Sequence, residues 1–365
     1  MSPSVRDLTR LELESRQSLL EAPEAELRSW MANHNQPAYR VRQALEWLIK
    51  RRATSFEQMS NIPIALRQQL DDSWRLFSTD VAYHGISPDG THKLLLECRD
   101  GKRIECVLMA EDERRTVCVS TQVGCGMGCV FCASGLKGVE RNLTAVEIME
   151  QVLQLRNLLP PEETVTHIVV MGMGESLANL DNLIAALDWL CSPEKGLGLS
   201  QRRVTISTVG LPEKIRKLAS LNRQYHLAVS LHAPTEELRS ALVPANEKIG
   251  LSAVLEAAHL YFRTTGRQVT FEYVLLHGVN DRPQDARALA GLLRGRKAHV
   301  NLIPYNPVAG LAYERPEPGA IQQFVETLRH GSVSATVRHS KGLTIDAACG
   351  QLRRRLEVLE ISGKA

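Results

Sequence analysis

From Cys118 to His339 the chain repeats one unit: a short β-rich run, a polar turn, then an amphipathic helical stretch. The runs are 118–123, 167–171, 204–208, 226–231, 268–276, 299–304 and 335–339. Parallel strands cannot be joined by tight turns, so each needs a helix-length return. Alternation over about 220 residues therefore predicts a parallel sheet with crossover helices. The clearest helix starts at Thr144, where Thr144-x-x-Glu147 is a capping box ahead of apolar Val146, Met149, Val152 and Leu153. The expected class is α/β, a partial (β/α) barrel of about six parallel strands. In such folds the chemistry gathers beyond the C-terminal ends of the strands.

Unusual polar residues do gather there. The runs end at Gly124-Cys125, Gly172-Met-Gly-Glu175, Ser207-Thr208, Ser230-Leu-His232, Pro304-Tyr-Asn306 and Asp346-Ala-Ala-Cys-Gly350. Agreement across six strand ends predicts one site.

Ahead of the barrel the texture differs. Residues 1–35 read as weakly periodic polar helix. Val41, Ala44, Leu45, Leu48 and Ile49 form one face of a helix. Arg40, Arg42, Lys50, Arg51 and Arg52 cluster around it, either as a solvated face or as contacts to an RNA backbone. A second helix is expected from about Pro63 to Trp74. Turns at Ser87-Pro-Asp-Gly90 and Asp100-Gly101 mark a small antiparallel β-hairpin unit. The expected division is an N-terminal helical accessory domain at 1–82, a hairpin connector at 83–112, the barrel at 113–352 and a tail at 353–365.

Forty-four Lys and Arg against 41 Asp and Glu give a net charge of +3, which neither announces nor excludes a nucleic-acid binder. Aromatics at 5% argue against a surface of repeated base-stacking platforms. Met1 to Leu20 carries no apolar h-region, and no apolar run approaches ~18 residues, so a cytoplasmic, membrane-free protein is expected.

Eight cysteines in such a chain do not suggest a disulfide framework. Three of them, Cys125, Cys129 and Cys132, form C-x3-C-x2-C in a glycine-rich loop. Three thiolates are one short of a closed zinc or iron–sulfur site. They suit a 4Fe-4S cluster with one iron left open. Zinc would want a fourth Cys or His nearby, and apart from the triad none lies between 119 and 160.

This triad at the end of the first barrel strand resembles the radical S-adenosylmethionine superfamily. Gly172-Met-Gly-Glu175 resembles that superfamily's segment for the methionyl amino group. Ser120-Thr-Gln-Val-Gly-Cys125, Arg141-Asn-Leu143, Ser230-Leu-His-Ala-Pro234, Asn301-Leu-Ile-Pro304 and Ile345-Asp-Ala-Ala-Cys-Gly-Gln-Leu352 narrow the likeness to the RlmN/Cfr family. It runs from about Tyr39 to Leu352. Three positions depart from the family pattern: Ser176 where proline is usual, Val139 where an aromatic is usual, and Thr344 where an acid is usual.

The resemblance implies methylation of adenine in RNA. The target carbon is electrophilic and cannot attack a methyl cation equivalent, so the methyl group must carry an unpaired electron. The likeness assigns the methyl-carrying thiol to Cys349, the resolving thiol to Cys118, with a transient disulfide between them, and the base that removes the ring proton to Glu105. It places Gly174, Glu175, Ser207, Ser230, Leu231, His232 and Asn306 around S-adenosylmethionine, used twice per turnover. Cys98, Cys106 and Cys191 have no motif around them and read as core or incidental.

The expected product is 2-methyladenosine in the peptidyl-transferase centre of 23S rRNA and at adenosine 37 of some tRNAs. Cfr-like methylation of carbon 8 is the alternative, because the shared motifs do not separate the two. A non-enzymatic iron–sulfur RNA-binding protein has no use for Cys118, Cys349 and an open iron together. A zinc-stabilised RNA-binding module is separated by metal analysis. Expected partners are RNA and an electron donor such as flavodoxin or ferredoxin, and the chain is expected to be a monomer.

Overall fold

The computed structural model describes residues 16–352. The first fifteen residues and the expected tail at 353–365 lie outside it. Three helices come first: α1 (Glu24–Asn33), α2 (Tyr39–Ile49) and α3 (Ile64–Ser73). They close around their own core of Leu27, Met31, Val41, Leu48, Met59, Leu66 and Leu70. The apolar spacing in 40–52 forms α2 as expected, and its buried residues include Val41, Ala44, Leu48 and Ile49.

Strands β1 (Asp80–Ile86), β2 (His92–Glu97), β3 (Arg103–Glu111) and β4 (Arg114–Cys118) follow as an antiparallel meander. Next come a small hairpin of β5 (Gln122–Gly124) and β6 (Val139–Asn142), then α4 (Ala145–Arg156) and β7 (His167–Val170). The alternation continues through α5 (Leu180–Cys191), β8 (Val204–Thr208), α6 (Pro212–Ser220), β9 (His226–Ser230), α7 (Glu236–Leu242), α8 (Asn246–Ile249) and α9 (Leu251–Thr265). It ends with β10 (Val269–Leu275), α10 (Pro283–Leu293), β11 (Ala298–Pro304), α11 (Pro318–His330) and β12 (Ser334–Val337).

One ten-stranded sheet runs β1-β2-β3-β4-β7-β8-β9-β10-β11-β12, and from β4 onward all neighbours are parallel. The barrel is partial, with seven parallel strands rather than about six. The helices cover the outer face, where Ile168, Ile206, Leu227, Phe271 and Leu302 join one large core. Strands β1–β3, read as a connector from sequence, hydrogen-bond directly onto the barrel strand β4.

The first barrel strand falls earlier than expected. The run at 118–123 is not one strand: β4 stops at Cys118 and β5 starts at Gln122. Ser120 is the reason. Its hydroxyl donates to Glu105 O at 2.7 Å and accepts from Met173 N at 2.8 Å, while its N–H donates to Gln151 Oε1 at 2.7 Å. Side chains replace the ladder there, and the chain lifts away to form the loop hairpin.

Helix α4 starts with the expected box: Thr144 Oγ1 accepts from Glu147 N, and Glu147 Oε2 accepts from Thr144 N. Its polar residues are buried too. Glu150 accepts from the N–H groups of Ser78 and Thr79 at 2.7 and 2.9 Å and from both hydroxyls. Arg156 donates to the last carbonyls of α2, at Leu48 and Ile49. Arg52 returns the contact, donating to Leu159 O and Pro160 O at 3.0 Å each. Buried charge of this kind persists only when hydrogen-bonded, so this pattern fixes the helical domain against the barrel. Among the described residues no helix is long and apolar enough to cross a membrane.

Candidate active site

The triad sits in the loop between β5 and β6. The neck of that loop is Gly124, with φ of +81° and no room for a side chain: a Cβ would lie 2.1 Å from Gly138 O. Cys125 N donates to Gly138 O at 3.0 Å, Cys132 N to Cys129 O at 3.1 Å and Val130 N to Leu242 O at 3.1 Å. The loop thus wraps over the C-terminal ends of the strands. Its three half-buried thiols face a cavity of about 150 Å³.

Burial pushes the Cys125 thiol up to about 11 and raises Cys129 and Cys132 as well. Alone they would stay protonated, and a cationic iron centre is the partner that would hold three thiolates there. Among the described residues, no three His, Cys, Asp or Glu side chains converge tightly enough to hold a single metal ion. A zinc site needs four ligands at ~2.3 Å from one point. Thiols spaced around a cavity instead suit a multi-iron cluster, and the residues fit that group.

The rest of the cavity wall comes from strand ends. Gly174, Glu175, Ser207, Ser230, His232, Asn306 and Cys349 all line it. Gly174 has φ of +103°, and a Cβ there would lie 2.6 Å from Gln122 Cβ. Glu175 is buried, and burial raises its carboxyl. The N–H groups of Leu177 and Val209 donate to it at 3.0 and 2.8 Å. His232 holds φ of +61°, a strained value for a non-glycine residue. Its Nδ1 lies 3.1 Å from Val274 N, and burial followed by the Arg239 charge pushes it down to about 3. His232 is therefore a neutral acceptor. Leu231 does not line the cavity: its side chain lies in the core, and its N–H donates to Glu272 O at 2.9 Å.

Cys349 is on both sides of a wall. It lines the cavity of the triad and also an adjoining one of about 30 Å³, shared with Cys118 and Arg338. Cys118 ends β4, in register with Val107 of β3. Burial pushes its thiol up to about 12; the Cys349 charge adds to this, and the Arg338 guanidinium pulls the other way. Arg338 donates to Met171 Sδ at 3.8 Å.

The Cys349 loop is tied from three sides. Asn306 Nδ2 donates to Cys349 O at 3.2 Å, Ala133 N to Gly350 O at 2.9 Å and Gln351 Nε2 to Pro307 O at 2.8 Å. From the meander, Lys93 Nζ donates to Asp346 O at 3.3 Å.

The same Lys93 pairs with Glu105 at 3.1 Å, both side chains buried. Glu105 does not line either cavity. It shares a face of β3 with Val107 and Met109, which line the thiol cavity. Cys98 and Cys106 lie in the core and Cys191 packs against it.

Three departures from the family pattern find local partners. Ser176 Oγ donates to Val170 O at 3.2 Å, Thr344 Oγ1 lies 2.9 Å from Ser87 Oγ, and Val139 packs over Gly126. Of the basic cluster, Arg52 is occupied by the barrel loop and Arg40 by Gln43 and Asn61. Arg51 stacks on Trp47, with its guanidinium 4.8 Å from the ring centre. Arg42 and Lys50 are exposed.

Four site residues escaped the sequence reading: Lys93, Arg239, Glu272 and Arg338. Arg239 is fully buried and donates to Leu231 O and Ser230 O at 3.2 Å each, clamping the end of β9. Glu272 is a buried carboxylate in the cavity wall, accepting from Asn301 at 2.8 Å.

Comparison with known proteins gives a consistent picture. Residues 119–290 match the radical SAM superfamily, and residues 17–76 match the ribosomal RNA large subunit methyltransferase N-terminal domain. A probable dual-specificity RNA methyltransferase RlmN from Rhodopirellula baltica is 53% identical over 90% of this chain and 88% of its own length. The dual-specificity RNA methyltransferase RlmN of Desulfosudis oleivorans is 46% identical over 90% and 88%. A crystal structure of a radical SAM methyltransferase from Sphaerobacter thermophilus superposes with a TM-score of 0.86 at 43% identity, covering 92% of this chain and 99% of that one.

Proposed function

This chain belongs to the RlmN family of radical SAM RNA methyltransferases, and from that premise we propose how its residues divide the work. The reaction is methylation of carbon 2 of adenine in 23S rRNA and in tRNA. The relatives' names favour this over the Cfr-like reaction at carbon 8, and their dual specificity supports two RNA classes. When bound, the 4Fe-4S cluster and S-adenosylmethionine supply the methyl group and the radical that abstracts hydrogen from it.

Cys125, Cys129 and Cys132 hold the cluster. Gly174, Glu175, Ser207, Ser230, neutral His232 and Asn306 orient S-adenosylmethionine in the cavity they line. The observation that carries the reading is the position of Cys349, which faces that cavity on one side and Cys118 on the other. Its sulfur accepts the methyl group on the first side and meets the resolving thiol on the second. The family likeness assigns removal of the ring proton to Glu105, which is buried against Lys93 outside both cavities, on the β3 face that continues to Val107 and Met109 of the thiol cavity. Cys118 Sγ, as the thiolate, then bonds to Cys349 Sγ as the bond from Cys349 Sγ to carbon breaks; the electron pair of that bond goes to the carbon, which takes up a proton to complete the methyl group. RNA is docked by the helical domain, where Arg42 and Lys50 are exposed. The protein works as a monomer in the cytoplasm, with a flavodoxin or ferredoxin as electron donor.

Mass spectrometry of nucleosides from rRNA and tRNA, with and without this gene, tests the proposal. Loss of 2-methyladenosine from both RNA pools is the expected result. Loss of 8-methyladenosine instead, or no change in either, overturns it.

A further inference from the structure

Below the two thiols, at the N-terminal end of the parallel strands, the lumen opens into a second chamber of about 500 Å³. Its wall is polar, with His167, Thr116, Thr205, Asn301 and Thr336 among its residues. Arg114, Arg203, Arg338 and Lys341 also line it, facing a single carboxylate, Glu111. The chamber shares Met109, Arg338, His339 and Lys341 with the thiol cavity above, so the two adjoin. On β4, Arg114, Thr116 and Cys118 fall on one face, since alternate strand residues point the same way. Cys118 is therefore the next inward residue of β4 above Thr116, and it shares the cavity above with Cys349.

The other end of the lumen holds the triad cavity, where S-adenosylmethionine is placed. There the triad loop and the Cys349 loop pack on one another, with Ala133 N on Gly350 O and Ser134 Oγ on Leu352 O at 2.9 Å each. A disulfide between Cys118 and Cys349 must be reduced before the next turnover, and thiol–disulfide exchange needs an attacking thiolate in line with the sulfur–sulfur bond. A thiol approaching from the lower chamber would reach Cys118 through the cavity that Cys118 and Cys349 share, with Cys349 as the leaving sulfur.

We propose that the lower chamber is a binding site for a small anionic thiol, which enters there to reduce the Cys118–Cys349 disulfide. The proposal rests on the two-thiol reading above. The thiolate bonds to Cys118 Sγ, the sulfur–sulfur bond breaks, and Cys349 leaves as a thiolate. A second molecule of the thiol attacks the mixed disulfide at its own sulfur, giving a small-molecule disulfide and free Cys118. Two electrons pass from two small thiols to the protein pair. The cations contributed by β4, by the segment before β8 and by the segment after β12 concentrate the anion. Fields of this kind raise encounter rates by 10- to 10³-fold and fall with ionic strength.

The test uses full-length cluster-loaded enzyme stopped after one turnover, with the state of Cys118 and Cys349 read by alkylation and peptide mass spectrometry. Re-reduction is timed with 2-mercaptoethanesulfonate, 2-mercaptoethanol and cysteamine, each corrected for its thiolate fraction. At low salt the sulfonate should outrun the neutral thiol by about tenfold, the cationic thiol should be slowest, and added salt should erase the spread. Arg114→Glu with Arg203→Glu should erase it too, with iron content and the first turnover unchanged. Rates that follow thiolate basicity alone, or a sulfonate advantage that survives salt and both substitutions, overturn the proposal. A first turnover that leaves no Cys118–Cys349 disulfide in the wild type shows in the peptide map. That result overturns the two-thiol reading, and the chamber's role with it.

Discussion

The two thiols are mounted in opposite ways. Cys118 belongs to a strand, buried, with neighbours fixed by ladder register on both sides. Cys349 belongs to a loop that starts at Gly342 in the left-handed region, passes Asp346 at φ of +48° and ends at Gly350 at φ of +84°. Its hold is a handful of single hydrogen bonds from separate elements. A carbon carrier must present its sulfur to a methyl donor, then to RNA, then to a second thiol, so it is suited to a loop. A resolving thiol needs one position, so it is suited to a strand.

The largest test of that contrast removes each thiol in turn. Cys349→Ala should keep its cluster, bind S-adenosylmethionine and transfer nothing. Cys118→Ala should attack adenine and stop there, leaving RNA attached to Cys349. Solution thiols replace it poorly, because a positioned group has an effective molarity of ~10⁵ M or more. A denaturing gel should show a nuclease-sensitive protein–RNA band in Cys118→Ala and none in Cys349→Ala or the double variant. Wild-type turnover by Cys118→Ala would end the contrast.

A smaller effect separates ionisation from position. With Cys118 pushed up to about 12, only its minor thiolate fraction attacks, and that fraction grows about tenfold per pH unit below the pKa. Adduct release in rapid-quench experiments should accelerate with rising pH and slow with falling pH across 7–9. Arg338→Met removes the cation that favours the thiolate and should slow release about tenfold at a given pH, keeping the slope. A flat profile in the wild type would mean that thiolate formation does not limit release.

A third experiment loosens only the loop. Gln351 accepts from Ala348 N and donates to Pro307 O, and it is buried. Gln351→Leu removes both bonds, at about 1 kcal/mol each, and should raise alkylation of Cys349 severalfold while leaving Cys118 unchanged. Equal change at both thiols would show that the strand and loop are not independently held.

The smallest effect is a control on RNA. Arg42→Gln with Lys50→Gln should weaken RNA binding and lower its salt slope by roughly one unit per lost phosphate contact. The inert and trapped behaviours of the two thiol variants should persist in that background. An unchanged salt slope would make these two side chains a solvated face only.

The sequence made the chemistry-bearing residues legible where they cluster. Three cysteines in eight residues, and a lone Cys between small residues, stand out because nothing in an ordinary core requires them. The alternation of strands and helices was legible for a similar reason, since period and turn chemistry are local. Arg338, Lys93 and Arg239 were not legible. Each reads singly as a surface cation, and its meaning comes from partners that only the fold supplies: Lys93 spans from Glu105 to Asp346, some two hundred and fifty residues on. Helix α4 holds a similar case: Glu150 and Arg156 meet the helical domain and the segment after it, and nothing in the local sequence marks those partners. The shifted first strand turns on Ser120, whose three hydrogen bonds leave no trace in hydropathy.

The meander β1–β3 settles where the sheet stops. Without it β4 would present a bare row of backbone donors and acceptors, an invitation to pair with another chain. With it, the free margin moves to β1, whose register with β2 slips between Val81 and Tyr83 and which carries Gly85. A bulged, twisted margin is a poor template for a foreign strand. A barrel expressed from residue 113 onward would therefore lose its protection against self-association, and its first casualty would be the strand that carries Cys118.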